Sequence, residues 1–125
     1  RTPTGTDRTM DVLMIINGPA YGADSTYNAV RLAAALAQRE DVTMHVFLMG
    51  DGVTVAMRNQ KTPDGYYKLD RMLSVVPRNG GEILCCGTCM DARGIREDML
   101  LNDAHRSTME ALATLTLAAD KTLVF

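Results

Sequence analysis

All three cysteines of this 125-residue chain fall within five positions: Cys85, Cys86 and Cys89. An odd number cannot pair completely within the chain, and clustering of this kind marks a site rather than a framework of staples. It also points to a reducing, cytoplasmic setting. Cys86 and Cys89 have Cys-x-x-Cys spacing, which suits nucleophilic sulfur chemistry or disulfide exchange by a thiolate. Zinc would need four ligands. His105 is the only nearby candidate and no second Cys-x-x-Cys exists, so neither a metal nor a cofactor is expected.

The cysteines stand where a strand gives way to a helix. Glu82 to Cys86 reads as a strand, and successive strand side chains point to opposite faces, so Cys85 and Cys86 cannot serve one pocket. Cys85 is expected to pack in the core, as buried cysteines usually do. A helix beginning after Cys86 offers unpaired N–H groups and the positive end of a dipole, both favouring a thiolate. Arg93 would add positive charge and Asp91 would oppose it; Gly87 and Thr88 line the turn.

Residues 11–16 are a short apolar run suited to a strand buried on both faces. The loop Asn17-Gly-Pro-Ala-Tyr-Gly-Ala-Asp24 follows, then Ala29, Val30, Ala33, Leu36 and Ala37 at helical spacing. Thr43 to Met49 reads as a second strand ended by Gly50-Asp51-Gly52, with a short helix around Val53 to Met57. Tyr66, Leu69, Met72, Leu73 and Val76 fit a helical face stopped at Pro77. A helix runs from Ser107, and Lys121 to Phe125 closes as a strand. His105 falls at the start of that helix, and His45 at an edge or interface position within a strand.

Alternating strands and helices predict one α/β domain over residues 10–125, a three-layer sandwich with a mainly parallel sheet and helices on both faces, behind a flexible leader at 1–9. Sites in such sheets form beyond the carboxyl ends of the strands. Three loops leave such ends. Asn17, Tyr21, Gly22 and Asp24 come from the first, Asp51 from the second, and Gly87, Thr88 and Asp91 from the third. The first has glycines before a helix, as anion cradles do, but lacks the spacing of either standard nucleotide-binding glycine motif.

Lys and Arg number 13 against 15 Asp and Glu, a formal net charge of −2. No basic patch of the kind that binds nucleic acid is visible. The longest apolar runs, about five or six residues, fall far short of a membrane span. Nine methionines suit core filling and irregular subunit contacts.

In combination, Asn17–Asp24 with Tyr27-Asn-Ala-Val-Arg-Leu-Ala33, Val46-Phe-Leu-Met-Gly-Asp51, Cys86-Gly-Thr-Cys-Met-Asp-Ala-Arg-Gly94 and Ala119-Asp-Lys-Thr-Leu-Val-Phe125 resemble the DsrE/DsrF-like family, nearest its YchN-like branch. The resemblance implies a three-layer α/β fold assembling as a homotrimer or homohexamer. It also implies a cysteine that carries sulfane sulfur as a persulfide between donor and acceptor proteins. In the sulfur-relay subunits the carrier stands eight residues before a Gly that follows Arg, which places Cys86 on that position. Cys89 then becomes a resolving or relaying thiol, with Arg93 assisting. Two alternatives stay open: a dithiol redox switch at Cys86 and Cys89, and a non-catalytic oligomeric module that binds a small ligand.

Overall fold

The computed structural model describes residues 9–125, so the leader expected over 1–9 lies, but for Thr9, outside the described residues. Five strands, β1 (Met10–Ile16), β2 (Val42–Leu48), β3 (Glu82–Cys86), β4 (Ala104–Ser107) and β5 (Lys121–Val124), form one sheet in the order β4-β3-β2-β1-β5. Every pairing between them is parallel. The expected α/β architecture with a parallel sheet holds.

Helix α1 (Asp24–Ala37) packs with α2 (Leu69–Leu73) and α3 (Val75–Arg78) in one layer. Beneath that layer lie Val12, Met14 and Ile16 of β1, Met44, Val46 and Leu48 of β2, and Ile83 and Cys85 of β3, all buried. Residues paired in a parallel register share a face, and these do. The opposite face is covered by α5 (Met109–Ala118) over Leu13 and Phe47, which are fully buried. Around them Ile15, Thr43, His45, Glu82 and Leu84 remain only half-buried. One layer is thick and closed; the other is a single helix.

Four residues, Pro77, Tyr66, His105 and His45, lie elsewhere than the sequence pattern predicts. Pro77 does not stop a helix; it sits within the one turn of α3, where its missing N–H is one that has no intrahelical partner anyway. Tyr66 precedes the helical segment, which starts at Leu69, and joins Tyr21 and Tyr67 in a ring cluster instead. His105 lies in β4, not at a helix start. Ala104-His-Arg-Ser carries no apolar alternation because it is a short edge strand, hydrogen-bonded on one side to β3.

His45, expected at an edge or interface, is in the central strand β2. Its Nε2 meets Asp11 Oδ1 at 3.0 Å and its Nδ1 meets Glu82 Oε2 at 2.5 Å. The cluster ties β1, β2 and β3 across the thinly covered face, at the end of the sheet away from the cysteines.

Candidate active site at the β3–α4 junction

Helix α4 (Gly87–Ala92) begins directly after β3, so Cys86 is both the last strand residue and the helix N-cap, with an extended backbone at φ −60°, ψ 118°. Asp, Asn, Ser and Thr usually fill that position because a side-chain acceptor there meets unpartnered amides. Here the residue is cysteine, and its sulfur makes no capping bond. The Thr88 hydroxyl lies 3.3 Å from Cys86 Sγ. The Cys89 thiol and the amides of Cys89 and Thr88 also face the sulfur, although no amide reaches full capping geometry. Burial pushes the Cys86 pKa up, but the Thr88 hydroxyl, the Cys89 thiol and these amide dipoles outweigh it and bring the thiol below its ordinary value.

Cys86 is only 4% exposed, yet it lines a cleft of about 210 Å³ with Gly87, Thr88, Arg106, Ser107, Thr108, Met109 and Glu110. The cleft opens on the α5 side of the sheet. Cys85 projects to the other face, is fully buried, and has its thiol pushed up to about 12, first by burial and then by the charges of Glu97 and Cys86. Adjacent cysteines thus sit in opposite chemical environments. All three thiols are free.

Cys89 stands one helical turn into α4 and is half-buried. Its sulfur accepts from Gly50 N–H at 3.1 Å while its thiol faces Cys86. The loop after β2, a 3-10 helix over Gly50–Ala56, is thereby joined to the cysteine segment. This loop also lies hard on β1: a Cβ at Gly52 would sit 2.1 Å from the Ile16 carbonyl oxygen, so only glycine fits.

The loops expected to share a rim do pack against one another, but they close on themselves and leave the cleft elsewhere. Asn17 Nδ2 donates to the Phe125 carbonyl. Tyr21 Oη accepts from Leu69 N–H and its ring joins the tyrosine cluster, with Gly22 in the left-handed region at φ 87°. Asp24 opens α1. None of these four reaches Cys86's cleft. Arg93 also turns away, donating from Nη2 and Nε to Asp51 at 2.8 and 3.1 Å and from Nη1 to the Cys89 carbonyl. Of the residues singled out from the sequence, Cys86, Gly87 and Thr88 line the cleft, with Cys89 behind the sulfur.

Arg106 was not visible from the sequence. Its strand pairs with β3 so that Arg106 is in register with Cys85 and Ser107 with Cys86. Arg106 comes to border the cleft because its guanidinium lies over Gly87, just past the end of β3, where it grips Asp91 through Nη1 and Nη2, each 2.8 Å from a carboxylate oxygen. Arg106, donating these bonds, holds the Asp91 carboxyl below the usual range. No local pattern identifies β4 as a strand, and without β4 there is no reason to bring position 106 beside position 86.

Residues 10–125 match the DsrE/DsrF-like family. Protein YchN of Escherichia coli K12 is 37% identical over 115 residues, 91% of this chain and 97% of YchN. The uncharacterized protein MK0008 of Methanopyrus kandleri is 31% identical over 123 residues, 97% of this chain and 99% of its own. The crystal structure of the E. coli YchN protein superposes with a TM-score of 0.87 at 36% identity, covering 94% of this chain and 100% of that one.

Proposed function

The chain belongs to the DsrE/DsrF-like family, and on that premise we propose that it is a sulfur carrier whose Cys86 accepts sulfane sulfur and passes it on. The observation that carries this reading is a cysteine at a helix N-cap whose sulfur lies 3.3 Å from the Thr88 hydroxyl and lines a cleft. Its twin at the preceding position is buried and held protonated.

In the step proposed, the Cys86 thiolate attacks the outer sulfur of a donor persulfide. A new S–S bond forms as the donor's S–S bond breaks, and the donor thiolate leaves with the electron pair. No net oxidation occurs, so no cofactor is required. The product anion occupies the cleft beside the Thr88 hydroxyl. The donor and acceptor are proposed to be proteins bearing reactive thiols, in a reducing cytoplasmic setting. The direct test is intact mass after incubation with a low-molecular-weight persulfide. A gain of one sulfur, absent in Cys86→Ser, is expected; a gain that persists in Cys86→Ser refutes the assignment.

A second reading has its own support, the Cys89 thiol directed at Cys86. Attack by Cys89 on the Cys86 side of the persulfide forms a Cys86–Cys89 disulfide and expels hydrogen sulfide. The Gly50 N–H would then lose its present thiol acceptor. Sulfide release with loss of two hydrogens in mass favours this resolving role, and a persulfide that endures in wild type but not in Cys89→Ser speaks against it.

We further propose a homo-oligomer, a trimer or hexamer. On the thinly covered side, Met109 and Leu117 of α5 are 53% and 90% exposed and Val124 of β5 is 65% exposed. Apolar side chains so placed gain by association. Light scattering on the full chain, with Leu117→Glu as the disrupting variant, tests this; a monomer at micromolar concentration would overturn it. Among the described residues no helix is long and apolar enough to cross a membrane.

A further inference from the structure

We infer that Arg106, seated on Gly87 and tethered by Asp91, supplies the positive charge that favours the Cys86 sulfur as an anion. The inference deepens the sulfur-carrier reading and rests on it for its biological meaning, but not for its physics. Three observations meet here. First, Arg106 lines the same cleft as Cys86. Second, a Cβ at Gly87 would lie 2.9 Å from both Cζ and Nε of Arg106 and 3.0 Å from Nη2. The guanidinium therefore rests directly on the first residue of α4, and any larger residue there would push it off. Third, Asp91, one turn along the same helix, holds Nη1 and Nη2 in a two-pronged grip.

That grip uses one N–H on each terminal nitrogen. A guanidinium has five N–H groups, so Nε–H and one N–H on each of Nη1 and Nη2 are not used by Asp91. Arg keeps its charge at any pH the protein meets. The arrangement is thus a fixed cation whose seat and tether both belong to the helix that Cys86 caps. The Arg106 charge is itself strengthened, mainly by its hydrogen bonds to Asp91 and in small part by the Cys86 charge. The coupling is mutual, as linkage requires.

Several other groups bear on the sulfur. The Thr88 hydroxyl of α4 lies 3.3 Å from it, and the Cys89 thiol on the same turn also favours its anion. Glu110 of α5 lines the cleft and works against an anion, as does Asp91 itself. Glu97 accepts from the Arg106 backbone N–H at 3.4 Å, and its negative charge acts on Arg106. Cys85, on the other face, stays protonated. Arg93, the cation nearest in sequence, is committed to Asp51. Arg106 is therefore the only cation lining the cleft among the described residues, and Asp91 and Gly87 act as its positioning residues.

The test is the pH dependence of Cys86 alkylation by iodoacetamide in the full chain, read by site-resolved mass spectrometry. Arg106→Gln should slow alkylation about threefold at a pH below the midpoint and move the midpoint upward. Arg106→Lys, which keeps charge but loses the two-pronged grip, should fall between it and wild type. Gly87→Ala, which displaces the guanidinium, should resemble Arg106→Gln. Raising salt from low to molar concentration should shift the wild-type midpoint upward but not that of Arg106→Gln, where the remaining Asp91 and Glu110 charges give screening the opposite sign, a readout that a merely structural role of Arg106 would not alter. A midpoint unchanged in folded Arg106→Gln and insensitive to salt in wild type overturns the inference, as does a native Cys86 that resists alkylation throughout. If the midpoint moves but Cys86 takes up no sulfur, the charge device stands and the carrier reading falls. If sulfur is taken up and the midpoint does not move, the reverse holds.

Discussion

The two faces of the sheet differ in thickness, and the two neighbouring cysteines inherit the difference. Under α1, α2 and α3 the strand side chains are closed off from water, and Cys85 is one of them. On the other side a single helix covers Leu13 and Phe47, and past the end of β3 it leaves the cleft that Cys86 lines. The backbone step from residue 85 to 86 turns the side chain through the sheet. Burial without an offsetting partner holds Cys85 as a thiol; at Cys86 the Thr88 hydroxyl and the start of α4, beside a cleft, favour an anion despite burial. A sulfur's reactivity here is set by what surrounds it, and the closed layer gives Cys85 burial with only negative charge nearby to add to it.

The largest effect is expected from replacing each cysteine in turn. Cys86→Ser should abolish sulfur uptake entirely, while Cys85→Ala should retain it, both read by intact mass. Uptake lost in a folded Cys85→Ala would mean the faces are not independent.

Next in size is packing. Leu48→Ala on the closed face should cost about 2–5 kcal/mol in urea unfolding. Leu117→Ala on the open face, where the side chain is 90% exposed, should stay within about 0.5 kcal/mol for the isolated chain. It should also lower the assembled mass in light scattering. Equal costs for the two truncations would show that α5 is as tightly packed as its counterpart layer.

A smaller effect comes from alkali. The Cys85 thiol is raised from an ordinary 9.0 to about 12 in the folded chain. An acid with a raised folded pKa stabilises fully below its unfolded pKa, and that contribution is lost as pH climbs toward the folded value. Stability should therefore decline between pH 9 and about 12, and decline less in Cys85→Ala, measured by chemical denaturation of both at matched pH. Cys86 has the opposite sign: its lowered pKa stabilises above the unfolded pKa, and the contribution disappears as pH falls through the folded one.

The smallest concerns the helix that roofs the open face. Thr108 caps α5, its Oγ1 accepting from Ala111 N–H at 3.1 Å. Thr108→Ala should cost about 1 kcal/mol of stability, and because Thr108 also lines the cleft, it should alter Cys86 alkylation more than Cys85 alkylation.

Strands β1, β2, β3 and β5 were legible because their apolar runs are short, β-branched and bounded by turn residues, and α1 because its apolar residues repeat at helical spacing. Strand β4 was not, since Ala104-His-Arg-Ser borrows its conformation from β3 rather than from its own side chains. Pro77 misled for a related reason: whether proline ends a helix depends on where the helix begins, which is settled by packing on β3. At the site, Cys86, Gly87 and Thr88 were found by position at a strand end. Asn17, Tyr21, Gly22, Asp24, Asp51 and Arg93 came from the same rule of topology, which marks an edge of the sheet but not which part of that edge stays open.

By itself the order of residues determined that Cys85 and Cys86 face apart and that Cys86 meets a helix start, because side-chain alternation and capping act over a few neighbouring positions. That a guanidinium from Arg106 rests on Gly87 while Arg93 is drawn off to Asp51 follows from how the strands and loops assemble. The physical reason is distance along the chain. Contacts between residues 19 or 42 positions apart depend on strand register and on which side chains fill the space first, and neither is written in any local pattern.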